Sequence, residues 1–309
     1  MATNVLSLTK RKGRKNKNQV VFILLGVGLP LLYFLVFWVY VNIDSILLAF
    51  KNPAGEWNTD AFMAALKSIF NPDEITDSTG GILISIRNTA IFFALDLLTI
   101  PFHVSIAYFL YRKIRGYRFF QIMFYLPGII STVVLGSVFV DLITPLGPLD
   151  YILKNWFGFE MPFILQSEKT AIWVVAFYQF WVGWGGRMLL LGGAMARLPK
   201  EVLESGRLDG TNTFRELFSL VFPMLWPTIS TLVILQLTSF FTASGPILVL
   251  TQGQYGTSTI AYWNYAKLKY DGLSAYNQIA AVGLILTAIG LPIILLIKHF
   301  LEKIPSVEY

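Results

Sequence analysis

Uninterrupted apolar stretches, not amphipathic faces, dominate the hydrophobic pattern of this chain. Val20 to Val41 holds no charge, nor does Phe119 to Val140, and no Asp, Glu, Lys or Arg occurs between Glu216 and Lys267. Asn88 to Tyr111 contains only Asp96 as a charge, Ala171 to Ala196 only Arg187, and Ala275 to Ile297 none. A bilayer span needs about 20 mostly apolar residues in helical form. The pattern therefore predicts an all-α integral membrane protein with six transmembrane helices. It divides the chain into a tail over 1–19, a first span over 20–41, a polar segment over 42–84, a core over 85–300 that holds spans two to six, and a tail over 301–309.

Charge sets the expected orientation. Lys10, Arg11, Lys12, Arg14, Lys15 and Lys17 precede the first span, and Arg112, Lys113, Arg115 and Arg118 fill the turn after the second. Basic residues collect on the cytoplasmic side, so both places are expected there. The 42–84 segment carries Asp44, Glu56, Asp60, Asp73, Glu74 and Asp77 against Lys51 and Lys67, which suits the outer side. Six spans then return the C-terminus, with Lys298 and Lys303, to the cytoplasm. The first span exceeds a signal-peptide core and no small-residue cleavage site follows it, so it is expected to remain.

Composition narrows the function. Of 309 residues 55% are hydrophobic and 14% charged, against roughly a quarter charged in a soluble domain. The net charge of +6 sits beside the ends of apolar helices, which points to lipid headgroups as partner and not to nucleic acid. With no cysteine and only His103 and His299, a thiol nucleophile and a Cys- or His-rich metal centre are excluded, and no nucleophile, base and orienting residue stand together as an enzyme would need. No GxxxxGK[ST] phosphate loop occurs; if ATP drives this protein, another subunit binds it.

Two connections are longer than a turn requires, 42–84 outside and 197–223 inside. The second reads Leu-Pro-Lys-Glu-Val-Leu-Glu-Ser-Gly-Arg-Leu-Asp-Gly over 198–210. Pro199 can open a helix with Glu201 near its positive end, Gly210 can end it in left-handed geometry, and Phe214, Leu217, Phe218 and Val221 give the next helix an apolar stripe. That stripe packs either on the chain itself or on a partner; spacing alone leaves both open.

This stretch resembles the cytoplasmic "EAA" loop of permeases in binding-protein-dependent ABC importers: Glu204-Ser205-Gly206, Gly210, then Leu220, Val221, Phe222 and Pro223 keep its spacing, with Asp209 before the glycine. Small Ser205 and Gly206 replace the two alanines. Asn88-Thr89, Arg118-Phe119-Phe120, Leu126-Pro127, Leu250-Thr251-Gln252-Gly253 and Pro223 with Pro227 resemble the maltose-type sugar permeases, so the similarity covers most of residues 20 to 300. The element at 250–253 resembles the first member of the two-permease pair, although Gln254-Tyr255 replaces the usual Gly-Pro.

The resemblance implies a multi-pass subunit of a bacterial cell membrane that passes a sugar or oligosaccharide inward by alternating access. It implies as partners a second homologous permease, an ATPase dimer and an extracytoplasmic solute-binding protein. It places ATP and Mg on the ATPase, with no cofactor on this chain. Glu204, Asp209, Gly210, Phe214 and Pro223 would form the joint with the ATPase. Trp181, Gly183, Gly186 and Arg187 on the fourth span, and Gln236, Ser239, Phe240 and Ala243 on the fifth, would face the solute pathway.

Arg187 and Asp96 are ionisable residues inside apolar spans, where charge is costly and faces protein or water. Arg187 lies about 15 Å and Asp96 about 22 Å along their helices from the inner ends, so an ion pair between them is possible. Either that pair fixes two helices, or Arg187 contacts the solute; a guanidinium there would also suit the carboxylate of an acidic, uronate-type saccharide. A secondary transporter would need an ion relay, for which Asp96 alone is thin support, and a channel would need a repeated ring of charges or carbonyls.

Overall fold

The computed structural model describes residues 17–70, 81–240 and 246–304, and their side chains from Leu25 onward. The basic run before Lys17, the acidic residues Asp73, Glu74 and Asp77, the tail 305–309 and Ala243 lie outside the described residues.

Every expected span is helical, and among the described residues the sole β feature is an isolated bridge between Lys51 and Trp57. The chain runs through α1 (Lys17–Phe34), a π turn (Leu35–Tyr40), α2 (Val41–Leu48), α3 (Asp60–Phe70), α4 (Ile82–Leu98), α5 (Ile100–Tyr111), α6 (Tyr117–Ile129), α7 (Thr132–Ile143) and α8 (Pro148–Phe157). It continues through α9 (Ala171–Val182), α10 (Trp184–Met195), α11 (Lys200–Leu208), α12 (Thr213–Glu216), a second π turn (Leu217–Val221), α13 (Phe222–Met224), α14 (Trp226–Thr238), α15 (Ile247–Leu250), α16 (Ile260–Asp271) and α17 (Ala275–Lys303).

Four helical stretches are long and apolar enough to cross a membrane: Leu25–Leu48, Ile82–Tyr111, Thr132–Phe157 and Ile260–Lys303. A fifth is reached if Thr213–Met224 and Trp226–Thr238, bent by 69° at their junction, count as one. The structure thus departs from six unbroken spans. The first span runs past Val41 to Leu48, because Asn42 and Ser45 donate back to the carbonyls of Trp38 and Val41, both at 2.7 Å, and so do not end the helix. The stretch from Phe119 to Val140 is not one helix: Ile130 and Ser131 are extended (ψ 143° and 130°) between α6 and α7, just after Pro127 and Gly128 weaken the helix.

Other breaks have equally local causes. Pro101 has no N–H for the Leu97 carbonyl, and α4 gives way to α5 at Thr99. Gly183 divides α9 from α10, and a Cβ there would sit 3.0 Å from the Gln179 carbonyl oxygen. Pro227 stands in the first turn of α14, where its missing N–H costs nothing. Broken helices are tolerated at membrane depth where protein or a water-filled cavity covers the freed backbone groups.

Three apolar cores hold the bundle. The first joins α5 and α10 to the 197–225 region through Val104, Tyr108, Met188, Leu191, Leu217 and Val221. The second gathers Phe92, Phe139, Val175, Tyr178 and Tyr262 from α4, α7, α9 and α16. In the third, Ala65 of α3 packs with Trp263, Ala281 and Val282 of α16 and α17. Small residues set the closest approach: a Cβ on Gly185 of α10 would lie 3.0 Å from the Gly128 Cα of α6. By contrast Leu25–Leu48 buries none of its most apolar window, an exposed surface suited to lipid.

Asn88 and Thr89, fully buried on α4, pin the loop that leads into α16. Asn88 Nδ2 donates to the carbonyls of Gly256 (2.6 Å) and Ser258 (2.8 Å), and Thr89 Oγ1 accepts from the Ile260 N–H at 3.0 Å.

Candidate functional site

Asp96 and Arg187 meet. Arg187 Nη2 lies 3.2 Å from Asp96 Oδ2, and the two side chains are only 19% and 14% exposed respectively, Asp96 being the deeper. Each is a charge in an apolar helix, and each removes the other's cost.

The pair is closed by residues that a search for charges passes over. Gln179 Nε2 donates to Asp96 Oδ2 at 3.1 Å, and Gln236 Nε2 donates to the same oxygen at 3.0 Å. Gln236 Oε1 accepts from Arg187 Nη2 at 2.9 Å, and Thr99 Oγ1 stands 3.4 Å from Arg187 Nη1. Gln179 and Thr99 were not among the sequence candidates; an amide or hydroxyl in an otherwise apolar helix was the available signal. Helix breaks surround this network. Asp96 lies three residues before Thr99, Gln179 and Arg187 flank Gly183 by four residues each, and Gln236 precedes Ser239, the end of α14, by three.

The remaining pathway candidates scatter around it. Gly183 is the break itself, and Gly186 faces open space, with nothing within 4 Å of a Cβ placed on it. Ser239 Oγ donates to the Gln236 carbonyl at 2.9 Å. Phe240 meets Phe93 edge-on at 5.2 Å, and Trp181 packs against Tyr178 and Phe139 at 6.0 and 6.3 Å.

The second candidate region is the 197–223 loop. Pro199 caps α11, and Gly210 ends it at φ +79°. The Gly210 N–H bonds the Arg207 carbonyl (3.0 Å) and the Thr211 N–H that of Gly206 (3.1 Å), the paired bonds of a Schellman end. Asn212 then opens α12, its side chain accepting from the Arg215 N–H at 2.8 Å. Gly206 has no room for more: a Cβ would stand 2.6 Å from Leu220 Cδ1.

The apolar stripe divides between its two readings. Leu217 and Val221 are buried in the chain's own core, whereas Phe214 and Phe218 are 65% and 59% exposed. Glu204, Asp209 and Gly210 are exposed on α11 and its turn, and Pro223 is half-buried in the first turn of α13. A cleft between α5 and α11 is lined by Arg112, Lys113, Lys200 and Arg207 with Glu204 the one acid among them.

Glu216 was not singled out from sequence, yet it is the most enclosed charge of the loop, 1% exposed. Arg207 donates to both its oxygens, Nε to Oε2 and Nη2 to Oε1, each at 2.9 Å. Those bonds hold the Glu216 carboxyl below the usual carboxylate range, against the opposing effect of burial, and raise Arg207. Among the described residues no three His, Cys, Asp or Glu side chains converge as a metal site.

Apolar helices broken around a closed polar network, with a packed helix-turn-helix loop between two of them, define a membrane transport component. The comparisons give its family. Residues 99–305 match the family described as binding-protein-dependent transport system inner membrane component. The chain belongs to this family and is a transport subunit, not an enzyme.

Among relatives, the probable ABC transporter permease protein YesP of Bacillus subtilis (strain 168) is 25% identical over 200 residues, 61% of this chain and 64% of YesP, just under two thirds of its length. The arabinooligosaccharides transport system permease protein AraP of the same organism is 24% identical over 278 residues, 86% of this chain and 83% of AraP. A crystal structure of a bacterial ABC transporter involved in the import of the acidic polysaccharide alginate has a chain of the same fold, with a TM-score of 0.76 at 21% identity over 93% of this chain and 98% of that one.

Proposed function

We propose that this chain is one of two permease subunits of an ATP-driven importer, passing a sugar or oligosaccharide from an extracytoplasmic binding protein into the cytoplasm by alternating access. The family match carries the transport role. The arabinooligosaccharide relative and the alginate importer support a saccharide as solute. The alginate transporter has also been crystallised with a pentasaccharide-bound periplasmic protein, which supports a binding protein as partner here.

In this reading the core over 85–300 lies in a bacterial cell membrane with both termini cytoplasmic. Six crossings are reached by counting α9 with α10, and α14 with its continuation, as broken spans. The partners are a second permease and an ATPase dimer, which holds ATP and Mg. Glu204, Asp209, Gly210 and the exposed Phe214 would seat in the ATPase, with Pro223 setting the exit of the loop.

A neutral saccharide fits the network better than an acidic one. The Arg187 charge is already compensated by Asp96, so a solute carboxylate would have to displace an internal one. Gly183, Gly186, Trp181, Ser239 and Phe240 would then line the path beside a fixed pair.

Affinity purification of this chain from its native membrane tests the assembly. An ATPase and a second permease of similar size are expected to co-purify in stoichiometric amounts; isolation of this chain with neither would refute the importer reading.

A further inference from the structure

Glu216 sits where three elements converge, and a packing role alone does not explain its chemistry. Its carboxylate ends α12, is gripped by Arg207 of α11, and lies 3.9 Å from Arg112 Nη1 at the end of α5. Arg112 Nη1 also donates to Thr213 Oγ1 at 2.8 Å and to the Tyr108 hydroxyl at 3.3 Å, and that hydroxyl donates to the Thr213 carbonyl at 3.4 Å. Tyr108 is fully buried on α5.

Leu217 and Val221 already supply apolar adhesion at this place. Such contact is non-directional and resists sliding poorly. A two-point guanidinium–carboxylate pair fixes both distance and angle, and burying it is worthwhile only where that geometry is needed, since an apolar replacement is often as stable. The α5 helix leads through the Thr99 break directly to Asp96 on α4.

We propose that Glu216 is a positioning residue that makes α11, α12 and the inner end of α5 one rigid body, so that displacement of α11 reaches the Asp96–Arg187 network. This rests on the importer reading, in which α11 is what the ATPase moves. Glu216 acts through Arg207 and Arg112 and touches neither solute nor nucleotide.

The absence of cysteine allows a direct test on the complete transporter, purified with its ATPase. Gly186→Cys, in open space one residue before Arg187, is labelled with biotin-maleimide with and without ATP and vanadate, and labelling is read on this chain. Otherwise unaltered, the reporter chain is expected to change its labelling rate at least five-fold on trapping. With Glu216→Gln added, the complex is expected to hydrolyse ATP while that change falls below two-fold. Arg207→Leu with Glu216→Leu, which leaves no buried unpaired carboxylate, is expected to assemble and to show the same loss.

A five-fold response retained in either assembled variant overturns the proposal. So does failure of both to assemble, which would make Glu216 a folding residue only. If the reporter chain without further change shows no nucleotide response although its ATPase is active, the importer reading itself falls.

Discussion

At the residue scale, a charge in an apolar helix is a commitment to a partner, and Asp96 and Arg187 show how far that reasoning reaches. Their pairing follows from cost and from reach along two helices, and the two side chains stand 3.2 Å apart. What sequence did not disclose was the rest of the network. Gln179, Gln236 and Thr99 carry no charge, so nothing in the hydropathy pattern marks them, and Gln236 spends both ends of its amide on Asp96 and Arg187. Glu216 escaped notice for the opposite reason: in a loop rich in charge, one more acid reads as solvated, and only folding reveals it as enclosed. A double-mutant cycle measures the central pair. Arg187→Gln leaves Asp96 charged and is expected to destabilise the detergent-solubilised protein by about 3 kcal/mol, while adding Asp96→Asn should recover much of the loss through a coupling of about 1–3 kcal/mol. Thermal unfolding of the four proteins checks it, and additive losses would mean that the two side chains do not share a charge balance.

At the element scale, apolar length located the spans but not their interruptions. The sequence signals for breaks were present at Pro101, Pro127, Gly128 and Gly183, yet a proline or glycine within a long apolar run is equally compatible with an unbroken helix. The choice depends on what covers the freed carbonyls. The loop shows a related limit. A helical period of 3.6 grouped Phe214, Leu217, Phe218 and Val221 on one face, but the π turn over Leu217–Val221 widens the helix, burying Leu217 and Val221 and leaving both phenylalanines outward. Its glycine was legible, because the turn chemistry is local. Gly210 occupies φ +79°, where a β-branched residue is strained by about 1–2 kcal/mol. Gly210→Val is therefore expected to tilt α11 and lower solute uptake per ATP at least ten-fold, while the complex still assembles. Parallel assays of hydrolysis and uptake in proteoliposomes check this, and unchanged uptake per ATP would remove Gly210 from the joint.

At the scale of the whole molecule, the chain holds a pathway wall and a coupling loop joined by one apolar core, in which α5 and α10 pack directly on Leu217 and Val221. The Asp96–Arg187 network and the Arg207–Glu216 clamp are linked by a single helical route, α4 to α5. Such a part has two tasks, to form half of a passage and to receive motion from elsewhere, and the family match agrees with that division. Its central claim is that energy comes from ATP on another subunit. The most direct measurement is accumulation of labelled neutral oligosaccharides by proteoliposomes holding the purified complex, with binding protein outside and ATP inside. Uptake that requires ATP, stops with vanadate and ignores a collapsed proton gradient is the expected result; uptake that continues without ATP and follows an ion gradient would contradict it.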